Sequence, residues 1–228
     1  MEIVPNVHLI SGLRGANAYL LTGETLTLVD AGMPGAEKTI LAYIEGLGLD
    51  PNDLARIVVT HHHLDHTGSA AALKARTSAQ VLAHPGDEPF VSGEQALPPA
   101  SNAAMRILSV LLSVVMPKAT PVGVDLLVQD GDQLDILGGA TVVHVPGHTP
   151  GSTAVHFPAE GLLICGDTID HRRDRLGPPP KPFTADMDQA VASIGHMAGL
   201  AFEVLCPGHG APIIGGAGEQ VRAMVQDF

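Results

Sequence analysis

Six consecutive residues, His61-His62-His63-Leu64-Asp65-His66, crowd four imidazoles and a carboxylate into one short turn. Both groups are ligands for divalent cations, and the turn could present two ligands to one cation and two to its neighbour. The β-branched run Leu54 to Thr60 reads as a strand that delivers the chain into the histidines. In extended backbone side chains alternate, so His61 and His63 share one side while His62 points the other way. Ser69 to Arg76 reads as the helix that follows, with Asp65 and His66 near its N-terminus, where backbone N–H groups favour anions. A cation held by this turn alone would be under-coordinated, so further ligands are expected downstream.

Three later runs end in a turn with one good ligand each. Ala140 to Val145 leads to Pro146-Gly147-His148-Thr149-Pro150-Gly151, Gly161 to Cys165 leads to Gly166-Asp167-Thr168, and Glu203 to Cys206 leads to Pro207-Gly208-His209-Gly210. In open α/β architectures strand ends gather along one edge, where sites form, and the glycines permit tight turns there. One such turn means little; four strand ends sharing the pattern make a strong signal. Asp30, ahead of Ala31-Gly32, is either a turn or N-cap residue or an acid supporting a metal loop. His84, before Pro85-Gly86, has no second ligand beside it and is assigned to loop packing, and His196 to a helix face.

The elements that must position these residues are legible around them. Val7 to Ile10, Ala18 to Thr22 and Leu26 to Val29 read as a hairpin or meander at a sheet edge. Ala36 to Leu47 has Ile40, Leu41, Ile44 and Leu47 at helical spacing, with Gly48 as its cap. Ala79 to Ala83 reads as a strand, Thr184 to Ala198 as a helix capped by Thr184 or Asp186, and Gly218 to Phe228 as a closing helix. The segment 87–121 breaks the pattern with Leu97-Pro98-Pro99 and then Asn102 to Met116, whose polar residues Asn102, Arg106, Ser109 and Ser113 form one narrow stripe of a helix. So wide an apolar surface must pack on its own core, on a second subunit as a homodimer contact through 102–116, or over the site as a lid.

With 228 residues and 45% hydrophobic content, the chain is long enough for a sizeable core, and no linker divides it, so 1–228 is read as one domain with an insertion at about 87–121. A formal net charge of -12 without a basic patch argues against nucleic acid and anionic membrane as partners and leaves a small molecule. No apolar run reaches the roughly 18 residues of a membrane span. Met1-Glu2-Ile3-Val4-Pro5-Asn6 lacks a signal-peptide pattern, so a cytoplasmic location is expected, with Cys165 and Cys206 as buried thiols.

Thr60-His61-His62-His63-Leu64-Asp65-His66-Thr67-Gly68, with Val29-Asp30-Ala31-Gly32 before it and the His148, Asp167 and His209 turns after it, resembles the metallo-β-lactamase superfamily, in its glyoxalase II-like branch. The resemblance spans about 30–209, and all five motifs of that superfamily occur in order. It implies an α/β (α+β) fold, a four-layer αββα sandwich of two mixed β-sheets with helices outside and the site on one sheet edge. Composition and periodicity alone support only a mixed α and β domain. The resemblance further implies one metal on His61, His63 and His148 and another on Asp65, His66 and His209. Asp167 would bridge the two, and Asp30 would be the acid that holds the histidine loop. The implied activity is hydrolysis by a dinuclear-metal-bound hydroxide at an ester, thioester or lactone carbonyl of a small acyl substrate, with Asp65 as the catalytic residue that orients the hydroxide and shuttles its proton.

The donor set agrees: imidazoles with few carboxylates and no thiolate suit zinc, and iron, manganese or nickel would accept the same ligands. An iron-dependent oxidoreductase of the persulfide dioxygenase kind, a phosphodiesterase and a non-catalytic metal-binding module are the alternatives. The chain ends 19 positions after His209, without the C-terminal helical region that a strict glyoxalase II resemblance leads one to expect. The segment Thr168-Ile169-Asp170-His171-Arg172-Arg173 lacks the tyrosine that acyl-homoserine lactonases carry there. The lack of a signal segment argues against a secreted antibiotic hydrolase. Arg172, Arg173 and Arg175 follow Asp167 closely enough to line the mouth of the site, either as a solvated loop or as a clamp for a substrate carboxylate or phosphate.

Overall fold

Short β-rich runs separated by turns open the chain, and they fold as β1 (Glu2–Val4), β2 (Val7–Leu9), β3 (Tyr19–Thr22) and β4 (Leu26–Val29), an antiparallel meander at one edge of a seven-stranded sheet. The computed structural model describes residues 1–96 and 119–228. The expected helix Asn102 to Met116, and with it the choice between lid, core and dimer contact, lies outside the described residues.

From β4 onward the pairing turns parallel, through β5 (Leu54–Val58), β6 (Gln80–Ala83) and β7 (Leu126–Leu127). Parallel neighbours need a crossover rather than a hairpin. Helix α1 (Glu37–Gly46) supplies the first, and α2 (Leu64–Thr67) with α3 (Ala70–Thr77) the second. Gly48, at φ 78, ends α1 as expected: its N–H donates to Glu45 and that of Leu49 to Ile44, satisfying two of the last free carbonyls. The helix expected at Ser69 to Arg76 forms as α3, with Asp65 and His66 ahead of its start. Both residues lie within the one-turn α2, and α3 begins afresh at Ala70. The break follows from Ser69, whose hydroxyl turns to α1, accepting from Ala36 and Glu37 N–H and donating to Met33 O.

After the one-turn α4 (Glu88–Val91), the second sheet has six strands: β8 (Gln133–Leu134), β9 (Ala140–His144), β10 (Thr153–Phe157), β11 (Leu162–Gly166), β12 (Val204–Pro207) and β13 (Ile213–Ile214). Helix α5 (Met187–Ala198) joins the parallel pair β11 and β12, and α6 (Ala217–Val225) closes the chain. Asp186 caps α5 by accepting from Gln189 N–H at 2.9 Å, while Thr184 is engaged elsewhere.

Period-two alternation sorts the apolar residues into three layers of contact. Tyr19, Leu21, Val29 and Val58 of the first sheet meet Val155, Phe157, Ile164 and Cys206 of the second. On the outer face of the first sheet Leu20, Leu28 and Ile57 meet Ile40 and Ile44 of α1 and Leu73 of α3. On that of the second, Val143, Leu163 and Leu205 meet Ile194 and Met197 of α5 and Val221 of α6. The result is helix, sheet, sheet, helix: the expected αββα sandwich. Cys165 and Cys206 are both buried and free. No helix among the described residues is long and apolar enough to cross a membrane.

Phe157 is wholly buried between the sheets, and Phe157→Ala is expected to lower the unfolding free energy by about 3–5 kcal/mol. Phe183 is 59% exposed, and Phe183→Ala is expected to stay within about 0.5 kcal/mol of the parent. Urea titration followed by circular dichroism reads both, and equal midpoints for the two variants would contradict this core assignment.

Candidate metal centre

Five strand ends meet on one edge of the sandwich. Asp30 follows β4, the histidine turn follows β5, and His148 stands just beyond β9. Asp167 follows β11 directly, and His209 lies two residues past β12. Ligand atoms of seven side chains converge there, in the overlapping groups His61–His63–His148, His61–His66–Asp167 and Asp65–His66–His209. His63 Nδ1 lies 3.2 Å from His61 Nε2 and 3.0 Å from His148 Nε2. At the other end His209 Nε2 is 3.3 Å from Asp65 Oδ2. Asp167 sits between the ends: its Oδ1 is 3.2 Å from His66 Nε2, and its Oδ2 is 3.2 Å from His209 Nε2 and 3.6 Å from His148 Nε2. The structure thus brings together all seven residues that the sequence nominates as ligands.

Four of the seven are held from behind. Asp30, at φ 62, accepts from the N–H and hydroxyl of Thr60 and contacts His66 Nδ1 at 2.7 Å. Thr60 Oγ1 lies 3.1 Å from His61 Nδ1, and Thr184 Oγ1 lies 3.3 Å from His148 Nδ1. These contacts leave the Nε2 atoms of His61, His66 and His148 facing the cluster, while His63 turns its Nδ1 inward. The His209 turn is fastened by the loop before β3: Asn17 donates to the carbonyls of Pro207 and Gly210, and the Tyr19 hydroxyl donates to Pro207 O at 2.6 Å. Gly208 is required by close approach, since a Cβ there would fall on Asp167 Oδ1 and come within 2.9 Å of His66 Cε1.

His62 faces away from the cluster, its Nδ1 3.0 Å from Asp87 Oδ2 and its ring against Phe90. His84 stacks on His144 at 3.9 Å, and His196 is an exposed residue of α5. None of the three joins a ligand group. Arg172 pairs with Asp170 at 3.2 Å on an exposed loop, and that loop is tied to the His209 turn by the His171 N–H donating to His209 O and by His171 Nδ1 at 2.6 Å from Ala211 O. Sequence reasoning did not find Asn17, Tyr19, Thr184 or Asp87. Asp87 is 1% exposed, and His62, Thr149 and Gly151 hold its carboxyl below the usual range against the opposing effect of burial.

The two ends differ electrically. Burial and mutual repulsion hold His61 well below its ordinary pKa and His63 at about 3, and burial, partly offset by Asp167, holds His148 at about 4. Those imidazoles are neutral at pH 7. At the other end burial pulls the same way but loses: Asp30 and Asp167 raise His66 well above its ordinary value, and Asp167 and Asp65 raise His209 to about 9. Burial would raise the carboxylates too, yet His66 and His209 hold Asp167 well below the usual range and His209 and His66 hold Asp65 at about 2. His66 Nε2 and Asp167 Oδ1 are buried without a satisfying hydrogen bond, as are His62 Nδ1 and Thr168 Oγ1 outside the seven residues, but only the first two face one another within the cluster. Orphaned buried atoms of this kind are costly unless another group engages them, and a cation is the group both have the chemistry to bind.

Residues 11–209 match the family model of the metallo-beta-lactamase superfamily. The chain is 29% identical over 232 residues to the probable metallo-hydrolase YflN of Bacillus subtilis, with 94% of this chain and 87% of that one covered. It is 33% identical over 165 residues to a hydroxyacylglutathione hydrolase of Dechloromonas aromatica, covering 72% of this chain and 47% of the relative, so it spans about half that protein's length. A subclass B3 metallo-beta-lactamase of Bradyrhizobium japonicum superposes with a TM-score of 0.74 at 26% identity, over 100% of this chain and 91% of that one.

A cation entering the Asp65–His66–His209 end must displace protons from His66 and His209, whereas the His61–His63–His148 end has none to displace near neutrality. Affinity at the first end is therefore expected to rise with pH through neutrality and through about 9, the value to which His209 is raised, while the second stays flat down to about pH 4, set by His148. Zinc titration of metal-free protein against a chromophoric chelator at several pH values checks this, and parallel pH slopes at both ends would refute it.

Proposed function

The chain belongs to the metallo-beta-lactamase superfamily, and from that premise we propose that it is a dinuclear zinc hydrolase acting on an ester, thioester or lactone carbonyl of a small acyl substrate. The observation that carries the reading is the convergence of five buried or half-buried imidazoles and the Asp65 carboxylate around Asp167, with His66 Nε2 and Asp167 Oδ1 left unsatisfied. The residues present fit two cations: His61, His63 and His148 would hold one, Asp65, His66 and His209 the other, with Asp167 between them. Bound there, divalent ions supply water activation at neutral pH and polarisation of a carbonyl oxygen.

The chain's own groups divide the remaining work. Asp65, with 28% of its side chain exposed, is the carboxylate of the cluster most open to solvent. Held ionised, it can orient an attacking water and pass its proton to the leaving group. Neither cysteine is available as a nucleophile, because both thiols are buried and burial pushes both pKa values up, keeping them protonated. Two divalent ions held there would outweigh the charge of the two carboxylates, and the site would favour an anionic or polarised acyl group although the chain as a whole carries -12. The Arg172 and Arg173 loop, tied to the His209 turn, is where the anionic end of such a substrate would be read.

Chelation should abolish turnover, and Asp65→Asn should lower kcat by about 10²- to 10⁴-fold. A panel of thioesters, lactones, β-lactams and phosphodiesters, run beside elemental analysis, decides the class. Turnover that survives chelation, or iron with oxygen consumption on a thiol substrate, would overturn the reading. On the best substrate found, Arg172→Ala with Arg173→Ala should raise KM about ten-fold, the loss of one charge-assisted hydrogen bond, with kcat little changed. An unchanged KM would remove the arginines from recognition.

A further inference from the structure

Asp87 lies at the turn between β6 and α4, outside the seven ligands. An aspartate just before a helix has an ordinary role as its cap, but no capping hydrogen bond from this side chain is made. Its carboxylate instead faces a set of donors. Oδ2 accepts from His62 N–H at 2.8 Å and from the Thr149 hydroxyl at 2.7 Å, and it lies 3.0 Å from His62 Nδ1. Oδ1 accepts from Gly151 N–H at 2.7 Å.

These donors come from two loops that share no strand. His62 sits between two ligands on the loop after β5, in the first sheet, and Thr149 and Gly151 follow the ligand His148 after β9, in the second. Where those loops meet, His63 Nδ1 and His148 Nε2 stand 3.0 Å apart. The surroundings are shaped to the contact. A Cβ at Gly151 would fall on Asp87 itself, and one at Gly86 would lie 2.9 Å from Pro150 O. Phe90 packs on the His62 ring at 4.6 Å, and Ser152 Oγ holds the Thr149 hydroxyl at 2.7 Å.

Asp30 provides the comparison. It binds Thr60 and His66 and so steadies the histidine turn from within the first sheet, but its carboxylate makes no hydrogen bond to the His148 loop. We propose that Asp87 is the positioning residue of the three-histidine end: by bonding both ligand loops at once it fixes His61 and His63 against His148, and so sets the metal affinity of that end without touching the cation. This rests on the metal-centre reading above. It adds that the two ends are organised by different carboxylates and can be weakened separately.

Asp87→Asn keeps the shape but turns an amide NH2 toward groups that are themselves donors. Zinc uptake by full-length protein, measured by competition with a chromophoric chelator, is expected to show one of two sites weakened about 10- to 100-fold. X-ray absorption on the zinc that remains is expected to show two imidazoles with carboxylate oxygens, the ligands of the Asp65–His66–His209 end. Because a changed buried charge could loosen the fold, Thr149→Val supplies a milder test; it removes one donor and should weaken the same site in the same direction. Two unchanged sites in Asp87→Asn, or equal weakening of both ends in both variants, would overturn the assignment. A parent chain that takes up no zinc would overturn the metal-centre reading itself, and this inference with it.

Discussion

The contact between His66 Nδ1 and Asp30, 2.7 Å long and fully buried, is the interaction on which the rest of the edge depends. Parallel pairing of β4 with β5 sets Val29 opposite Val58, so the residues that follow each strand, Asp30 and Thr60, come into reach of one another. Asp30 leaves β4 in a left-handed conformation that costs a non-glycine residue roughly 1–3 kcal/mol and persists only where surroundings over-determine it. They do so here: two bonds from Thr60 and one contact from His66 fix the carboxylate, while Ala31 N–H donates to His66 O. The turn is then rigid before any cation is considered, and His66 Nε2 is left directed at Asp167.

From that fixed point the second sheet completes the cluster. Strands β9, β11 and β12 end on the same edge, and each contributes one ligand. The closeness of approach is set by glycines: Gly208 lets the His209 turn pass Asp167, and Gly166, at φ 51, lets the end of β11 pass Thr60. A sheet edge of this kind exposes several backbones at short range, which is why single ligands from distant parts of the chain can be combined without long loops.

The seven candidate ligands were readable in the sequence because each carries a local mark: a dense turn, or one histidine or aspartate among glycines at the end of a β-branched run. Helix α1 was readable from periodicity and its end from Gly48, and α5 was readable with its start left between Thr184 and Asp186, of which Asp186 is the cap. Strands β7, β8 and β13, of two residues each, are too short for a period to appear. The supporting residues carry no local mark. Asn17 and Tyr19 act on Pro207, 190 and 188 positions away, and Asp87 acts on Thr149 at a separation of 62. Their roles exist only once the sheets have stacked. The division of Ser69 to Arg76 from α2 has the same origin, because Ser69 is captured by α1 and not by its own helix.

His62 shows how one backbone rule produces both the ligands and their anchor. Alternation in the extended chain sends His61 and His63 to the cluster and therefore sends His62 outward. Outward from the turn lie Asp87, which accepts from its backbone N–H, and Phe90, which packs on its ring. A middle residue with no partner would leave the ligands on either side free to rotate together about the turn. With the middle residue bonded, the orientation of both neighbours is fixed by a group on the far side of the backbone. The triplet then acts as one lever, with two arms on the metal centre and the third held by a carboxylate that also holds the His148 loop.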